Sequence, residues 1–208
     1  KRGTLERNIK SALSFRDCYS VQRSSFFLNK FKQLCKKYNI NKLNILLVGP
    51  RNEGEIFNFL ANDFKFKLID AIDLFSYSPK IQVKDMHKIN KIKKKYDLIY
   101  FGFILNYSNN INSVIKKSSK ILKNNGMIGV SLESDNWPKL SKKLKKIYVN
   151  RLKKQKFEKL VRIKKRHIYN QQISKIFDKI FYFSYVEQLG FKFQDKKCMT
   201  ILLKKRRK

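Results

Sequence analysis

Acidic side chains are scarce in this chain: 15 Asp and Glu stand against 49 Lys and Arg, a formal net charge of +34 over 208 residues. So lopsided a balance points to an acidic partner, nucleic acid or an anionic membrane surface. A compositional origin competes with that reading. Lys outnumbers Arg 39 to 10, Asn and Ile are abundant, and A/T-rich codons produce that bias without selection for binding. Such drift does not account for the shortage of acids. Cysteine is almost absent, and Cys18, Cys35 and Cys198 lie far apart. This odd, scattered set forms no metal pattern and predicts a reducing, cytoplasmic compartment. No second His or Cys lies close to His87 in sequence, so no metal set is predicted there. No run of 18 apolar residues occurs, which excludes a transmembrane helix of ordinary length. The opening stretch, KRGTLERNIKSALSF, is basic but lacks the continuous apolar segment of a secretory leader. It begins with Lys1 instead of Met, as a trimmed chain or a fragment would. Also missing are a phosphate loop of the G-K-[ST] type, a motif-borne catalytic cysteine and a Ser-His-Asp set.

What is present is an apolar content of 42%, enough for a sizeable core, in a length that predicts one domain. The chain is organised around Asn44 to Glu55, NILLVGPRNEGE. An apolar run, Ile45 to Val48, ends at Gly49. The turn Pro50-Arg51-Asn52-Glu53-Gly54 follows, and a helical pattern then begins with Ile56, Phe57, Leu60 and Ala61 on one side. Strand, glycine turn and helix in this order predict the opening of an α/β nucleotide-binding unit. Glycine suits the turn because backbone without a Cβ can pass close to a ligand, and the helix N–H groups then face what sits above it. An ordinary strand-to-helix turn gives the same pattern. Glu53 and Glu55 fall in the first helical turn, where they suit the helix dipole.

Alternation of strand and helix continues. Residues 1–42 predict a helical segment ending near Asn39, with Val21, Phe26, Phe27, Phe31, Leu34 and Cys35 toward the sheet. Strand two is predicted over Lys67–Leu74 and carries Asp73, 24 residues after Gly49. An acid near that spacing accepts hydrogen bonds from ribose hydroxyls in nucleotide-binding α/β units; a turn or cap role before Ser76-Tyr77-Ser78-Pro79 is the other reading. A short strand, Ile81–Val83, precedes Asp85, Met86 and His87. Asp85 is then an acceptor for an adenine amino group and Met86 a packing surface for the ring, or the two belong to an ordinary loop. His87 reads as a surface loop histidine. Strand four, Tyr96–Ile104, is followed by a helix from about Asn110 to Leu122 with Ile111, Val114, Ile115, Ser118 and Leu122 inward. Asn124-Asn125-Gly126 predicts a helix stop and turn, and Met127–Leu132 the fifth strand. The whole predicts a doubly wound, mostly parallel α/β sheet.

The blocks ILLVGPRNEGE, LIDAIDLFSYSP, VKDMHKI, YDLIYFGFILNYS and ILKNNGMIGVSLES occur in this order over residues 42–133. Together they resemble the class I S-adenosylmethionine-dependent methyltransferases. The resemblance implies a seven-stranded Rossmann-like sheet closed by a C-terminal antiparallel strand pair, S-adenosylmethionine as cofactor, and a methyl acceptor it does not identify. It implies that Gly49, Pro50, Arg51, Glu53 and Gly54 bracket the methionine part. Asp73 with Leu74 holds the ribose, Asp85 with Met86 the adenine, and Phe101, Gly102 and Phe103 line the methionine side. The acid that the family carries two residues before its first glycine is Leu47 here, and the middle glycine is Arg51; Arg51 and Glu53 are the candidate replacements. Tyr107 and Glu133 are the candidate substrate contacts. His87, Tyr107, Glu133 and Asp135 lie near strand ends as possible bases, and none is assigned. The Asn-Pro-Pro-Tyr motif of amino-methylating nucleic-acid enzymes is absent, since Asn106-Tyr107-Ser108 lacks its prolines. Two other readings stay open: a catalytically silent module of this fold that binds RNA or another polyanion, and a nicotinamide-dependent Rossmann enzyme, which the missing G-x-G-x-x-G disfavours.

Beyond Glu133 the pattern changes. From Lys139 to Arg166 there are fourteen Lys and Arg and one acid, Glu158. Leu140, Leu144, Tyr148 and Leu152 recur every four residues, which predicts a basic amphipathic helical insertion over residues 134–170. A further helix is predicted over Asn170–Phe177, then strands over Asp178–Val186 and Cys198–Leu203, a connection with Gly190 between them, and a basic tail, Lys204–Lys208. If the insertion binds a polyanion, affinity for RNA falls steeply with salt. Replacing Lys142, Lys143, Lys145 and Lys146 with Gln then flattens the salt slope by roughly one unit for each phosphate no longer neutralised. The same replacement at Lys30, Lys32, Lys36 and Lys37 is the control in a filter-binding titration. Equal effects from the two sets would mean bulk charge without a site.

Overall fold

The computed structural model describes residues 19–36, 38–108, 110–134, 181–193 and 196–205. The predicted basic insertion, the helix over Asn170–Phe177 and the first 18 residues lie outside that set. Strand β1, Ile45–Val48, is buried along its whole length. Four consecutive apolar residues in an extended strand must be covered on both faces, because successive side chains point to opposite sides. The neighbours follow from that need. Strand β2, Ile69–Asp73, and strand β4, Tyr96–Gly102, pair parallel with β1 on its two sides. Strand β3, Ile81–Val83, adds parallel to β2, and strand β5, Leu122–Ser134, adds parallel to β4. Strands β6, Phe181–Phe193, and β7, Lys196–Lys205, join antiparallel, giving the order β3-β2-β1-β4-β5-β7-β6.

Each face has its own core. Helix α1, Tyr19–Leu34, and helix α2, Gly54–Leu60, cover one face, where Phe27, Phe31 and Phe59 meet Ile45, Leu47, Leu98, Tyr100 and Met127. Helix α3, Ile111–Ile121, covers the other, where Val114 and Ile115 meet Leu46, Val48, Ile99, Phe101 and Ile128. The odd and even residues of β1 thus serve opposite layers. Among the described residues no helix is long and apolar enough to cross a membrane.

Several boundaries differ from the sequence expectation. Helix α1 ends at Leu34, not near Asn39, and Asn39 instead caps a short 3-10 turn by accepting from the Asn41 N–H. Helix α2 presents Ile56 and Phe59 inward while Phe57 is 59% exposed. Its orientation is set by Asn58, whose Nδ2 donates to the hydroxyls of Ser24 and Ser25 on α1 at 2.7 and 3.1 Å. A short 3-10 turn, Phe66–Leu68, delays β2 to Ile69. The Asn124-Asn125-Gly126 stretch lies within the span of β5, where the partner of β4 jumps from Leu122 to Met127. Strand β6 runs on to Phe193, so Gly190 lies within the strand and not in the predicted connection. Lys204 and Lys205 are strand residues and not tail: Lys204 pairs with both Met127 and Tyr182, and Lys205 Nζ donates to the Leu122 carbonyl at 3.2 Å. Strand pairing there satisfies backbone groups that a tail would leave to water.

Helix α1 lies so close to the sheet that Gly129 has no room for a side chain. A Cβ there would come within 2.3 Å of the Phe27 ring. That ring stacks on Tyr100 with centroids 4.5 Å apart. Gly129→Ala is therefore expected to lower stability by about 1–3 kcal/mol through overpacking. Combined with Phe27→Leu, the loss should fall short of the sum of the single losses, because both changes act on one contact. Urea denaturation of the two single variants and the double variant measures this.

Candidate functional site

Parallel pairing brings the C-terminal ends of β1 to β5 to one edge. Val48 is in register with Ile72 and with Phe101, Asp73 with Val83, and Gly102 with Ser131. The segments predicted to carry the site therefore leave the sheet side by side: Gly49 to Gly54, Asp73 and Leu74, Asp85 and Met86, Gly102 and Phe103, and Tyr107. The chain proceeds from β1 outward to β2 and β3, then returns to β4 on the other side of β1. A crevice outside the strand ends at such a switch point is where open α/β sheets bind ligands.

The turn after β1 has an unusual backbone. Gly49 has φ +79° and Arg51 φ +63°. Arg51 occupies the left-handed region where the family pattern has glycine, so the glycine conformation persists without the glycine. That conformation costs an L-residue roughly 1–2 kcal/mol, and it persists only where surrounding structure fixes it. The fixing contact is Asp73, whose Oδ2 accepts from the Arg51 N–H at 2.9 Å. Oδ1 accepts from the Leu74 N–H at 2.6 Å. Asp73 is 4% exposed and ends β2 facing the glycine turn. Burial raises its pKa above the ordinary 3.8, while backbone N–H groups of Arg51, Leu74 and Phe75 and the Arg51 charge pull it down. Asp70, the other acid of β2, is engaged elsewhere: it accepts from Tyr96 Oη at 2.9 Å and pairs with Lys94 at 2.8 Å.

Three further N–H groups at the turn have acceptors within the protein. The Gly49 N–H donates to Ile72 O at 2.8 Å and the Asn52 N–H to Pro50 O at 2.6 Å. The Gly54 N–H donates to Asn52 Oδ1 at 3.1 Å. Glu53 stands at the start of α2 and makes no side-chain cap bond. Glu55 is 2% exposed, and its Oε1 lies 2.5 Å from where a Cβ on Gly102 would be. The glycine at 102 leaves room for that carboxylate. Sequence reasoning places Glu55 only in the first helical turn, where an acid suits the helix dipole, and does not foresee its burial.

At the other strand ends, Asp85 caps a 3-10 turn, Met86–Lys91, by accepting from the His87 N–H. Met86 is 6% exposed and belongs to the core layer with Ile89. Phe101 is fully buried in the same layer, and Phe103 is buried with φ +57°. Tyr107 is 36% exposed on the turn after β4. The side chain of Glu133, and Asp135 altogether, lie outside the described residues. His87 is not the surface histidine that the sequence predicts: its ring lies between Asp85 and the buried Ser108, at 2.6 and 3.0 Å. The Ser108 partner was beyond sequence reasoning because it is 21 positions away. Among the described residues, no group of three or more His, Cys, Asp or Glu converges to hold a metal ion.

No protein-family profile matches the chain, and no curated protein matches its sequence. Solved structures do match its fold. The N-methyltransferase NodS from Bradyrhizobium japonicum WM9, in complex with S-adenosyl-L-homocysteine, aligns with TM-score 0.63 at 12% identity, over 96% of this chain and 97% of that one. A S-adenosylmethionine-dependent methyltransferase from Methanosarcina mazei aligns with TM-score 0.59 at 16% identity, over 84% and 98%. The 1,6-didemethyltoxoflavin-N1-methyltransferase of Burkholderia thailandensis aligns with TM-score 0.62 at 9% identity, over 98% and 86%. The chain has the class I methyltransferase fold.

The buried Asp73 makes stability depend on pH in a defined direction. Between 3.8 and its raised folded pKa, the folded state holds the proton and the unfolded state does not. Stability therefore falls as pH rises through that window. Asp73→Asn should remove this component and flatten the profile there, as read from thermal melts taken at intervals from acid to neutral pH.

Proposed function

We propose that this chain is an S-adenosylmethionine-dependent methyltransferase, and that the cofactor lies along the C-terminal edge of β1 to β4. The observation that carries the reading is the Asp73 carboxylate bonded to the Arg51 N–H inside the glycine turn. A turn that cradles a pyrophosphate presents free N–H groups to it. Here the Gly49, Arg51, Asn52 and Gly54 N–H groups all have acceptors within the protein. The acceptor next to the turn is itself an acid, which repels phosphate. An adenosine without phosphates suits this chemistry, since its ribose hydroxyls and amino group are donors and carboxylates only accept. The nicotinamide alternative loses support on the same ground.

In this reading Asp73 and Leu74 hold the ribose, and Asp85 with Met86 flanks the adenine. Gly49, Pro50, Arg51, Glu53 and Gly54 border the methionine part, with Phe101, Gly102 and Phe103 on its far side. The bound cofactor supplies a methyl group already activated on a sulfonium, so positioning of the acceptor accounts for much of the rate. Tyr107, exposed beside the strand ends, and Glu133 are the proposed acceptor contacts. The seven-stranded sheet with its closing antiparallel pair belongs to the same proposal, as does a cytoplasmic location drawn from the cysteine pattern. The silent, polyanion-binding module is the second reading, carried by the +34 charge.

Calorimetry with S-adenosylhomocysteine tests the assignment. The wild-type chain should bind it, and Asp73→Ala should weaken binding by about 1–3 kcal/mol, the scale of hydrogen bonds made to a charged acceptor. Absence of binding by the wild type would support the silent module. An Asp73→Ala affinity within about threefold of wild type, about 0.65 kcal/mol, would remove the ribose assignment.

A further inference from the structure

His87 stands where the loop after β3 meets the turn after β4. Its side chain is 19% exposed and that of Asp85 14%. Two donors of His87 converge on one oxygen of Asp85: the backbone N–H at 2.8 Å and Nδ1 at 2.6 Å, both to Oδ1. The opposite ring nitrogen, Nε2, lies 3.0 Å from Ser108 Oγ. Ser108 is fully buried, and its Oγ accepts from the Asn110 N–H at 3.1 Å. The Ser108 hydroxyl and Nε2 share one hydrogen bond, and a hydroxyl can serve it as donor or acceptor. Nδ1 faces a carboxylate oxygen, which can only accept, so that nitrogen carries a proton and donates to Asp85. The backbone of the same residue is held from a third side, because Lys117 Nζ on α3 donates to the His87 carbonyl at 2.6 Å.

An aspartate on a loop turns freely about χ1 and χ2. Two donors fixed to one of its oxygens select a single carboxylate orientation, and a ring anchored at both nitrogens cannot swing to release it. We propose that His87 is a positioning residue for base recognition: it sets the Asp85 carboxylate toward the adenine amino group and ties that loop to the turn after β4. Discrimination of the base then depends also on Ser108, which anchors the far side of the His87 ring. This rests on the reading of Asp85 as the adenine acceptor. It also separates the two acids of the site by what orients them. Asp73 is held by backbone N–H groups, which substitution does not remove, whereas Asp85 is held in part by a replaceable side chain.

The test compares S-adenosylhomocysteine with S-inosylhomocysteine by calorimetry on the full chain. The inosine ring carries a carbonyl oxygen where adenine carries its amino group, so a fixed carboxylate accepts from one and repels the other. Wild type should prefer the adenosyl compound by at least about tenfold, and Asp85→Ala should abolish that preference. His87→Phe, which keeps a ring but no Nδ1 donor, should reduce it to less than about threefold. His87→Asn, whose amide nitrogen lies where Nδ1 lay, should retain it. Loss of the preference in Asp85→Ala together with full preference in His87→Phe would overturn the inference and leave the role of Asp85 standing. An unchanged preference in Asp85→Ala would overturn both. If His87→Phe does not fold, His87→Gln replaces it. Its longer amide reaches the Nε2 position and removes the side-chain donor from Asp85, so Gln should lose the preference that Asn keeps. Equal preferences in those two variants would overturn the inference.

Discussion

A buried carboxylate, Asp73, joins the ends of β1 and β2, and the geometry of the site follows from that junction. Its two oxygens accept from the N–H groups of Arg51 and Leu74. A charge taken from water is costly unless dipoles replace the water, and here the dipoles belong to the backbone of the two turns that the site needs in register. Removing the carboxylate would free the turn after β1 from its anchor on β2. The left-handed conformation of Arg51 is intelligible on the same basis. The chain turns its N–H toward Asp73, and the bond offsets the backbone strain.

Much of the sheet was legible because its signals are local. Ile45–Val48 before Gly49 and the apolar run of β4 need no information beyond neighbouring residues, since a strand buried on both faces is a short unbroken hydrophobic run. The inward face of α3 was equally plain, with Ile111, Val114, Ile115 and Ser118 all buried. What escaped was decided by distant partners. Phe57 and Phe59 are indistinguishable by type, and the choice between them rests on Asn58 reaching Ser24 and Ser25 on α1. The length of β6 and the inclusion of Lys204 and Lys205 in β7 come from strand pairing across the chain, against lysine composition that reads as a tail.

The candidate site divided in the same way. Asp73 announced itself by its spacing from Gly49, because both ends of a strand-turn-helix-strand unit lie within one stretch of chain. Glu55 and His87 did not. A carboxylate in a first helical turn is usually solvated, and this one is buried because Gly102, 47 residues later, offers no side chain to exclude it. The partner of the His87 ring is a serine on a different loop. The crevice edge also concentrates backbone that ordinary residues avoid. Of the described non-glycine residues with positive φ, two of three, Arg51 and Phe103, adjoin the ends of β1 and β4.

The seat of Phe27 on Gly129 has a bearing on how the chain comes to be folded. Helix α1 is among the first described elements in the chain, yet what it packs on is made late. Its aromatic face requires Tyr100 and Gly129, and Cys35 meets Met127, 92 residues further along. During vectorial synthesis the amino-terminal segment therefore leaves the ribosome well before its docking surface exists. At ordinary elongation rates of ~5–20 residues per second the delay is several seconds, far longer than a helix takes to form and melt. Over that interval Phe27 lacks the Tyr100 and Gly129 surface on which it packs, and nascent-chain hydrophobic exposure of this kind is what chaperones recognise. A permuted chain that begins at β1 and carries α1 after β7 would emerge with the sheet already waiting.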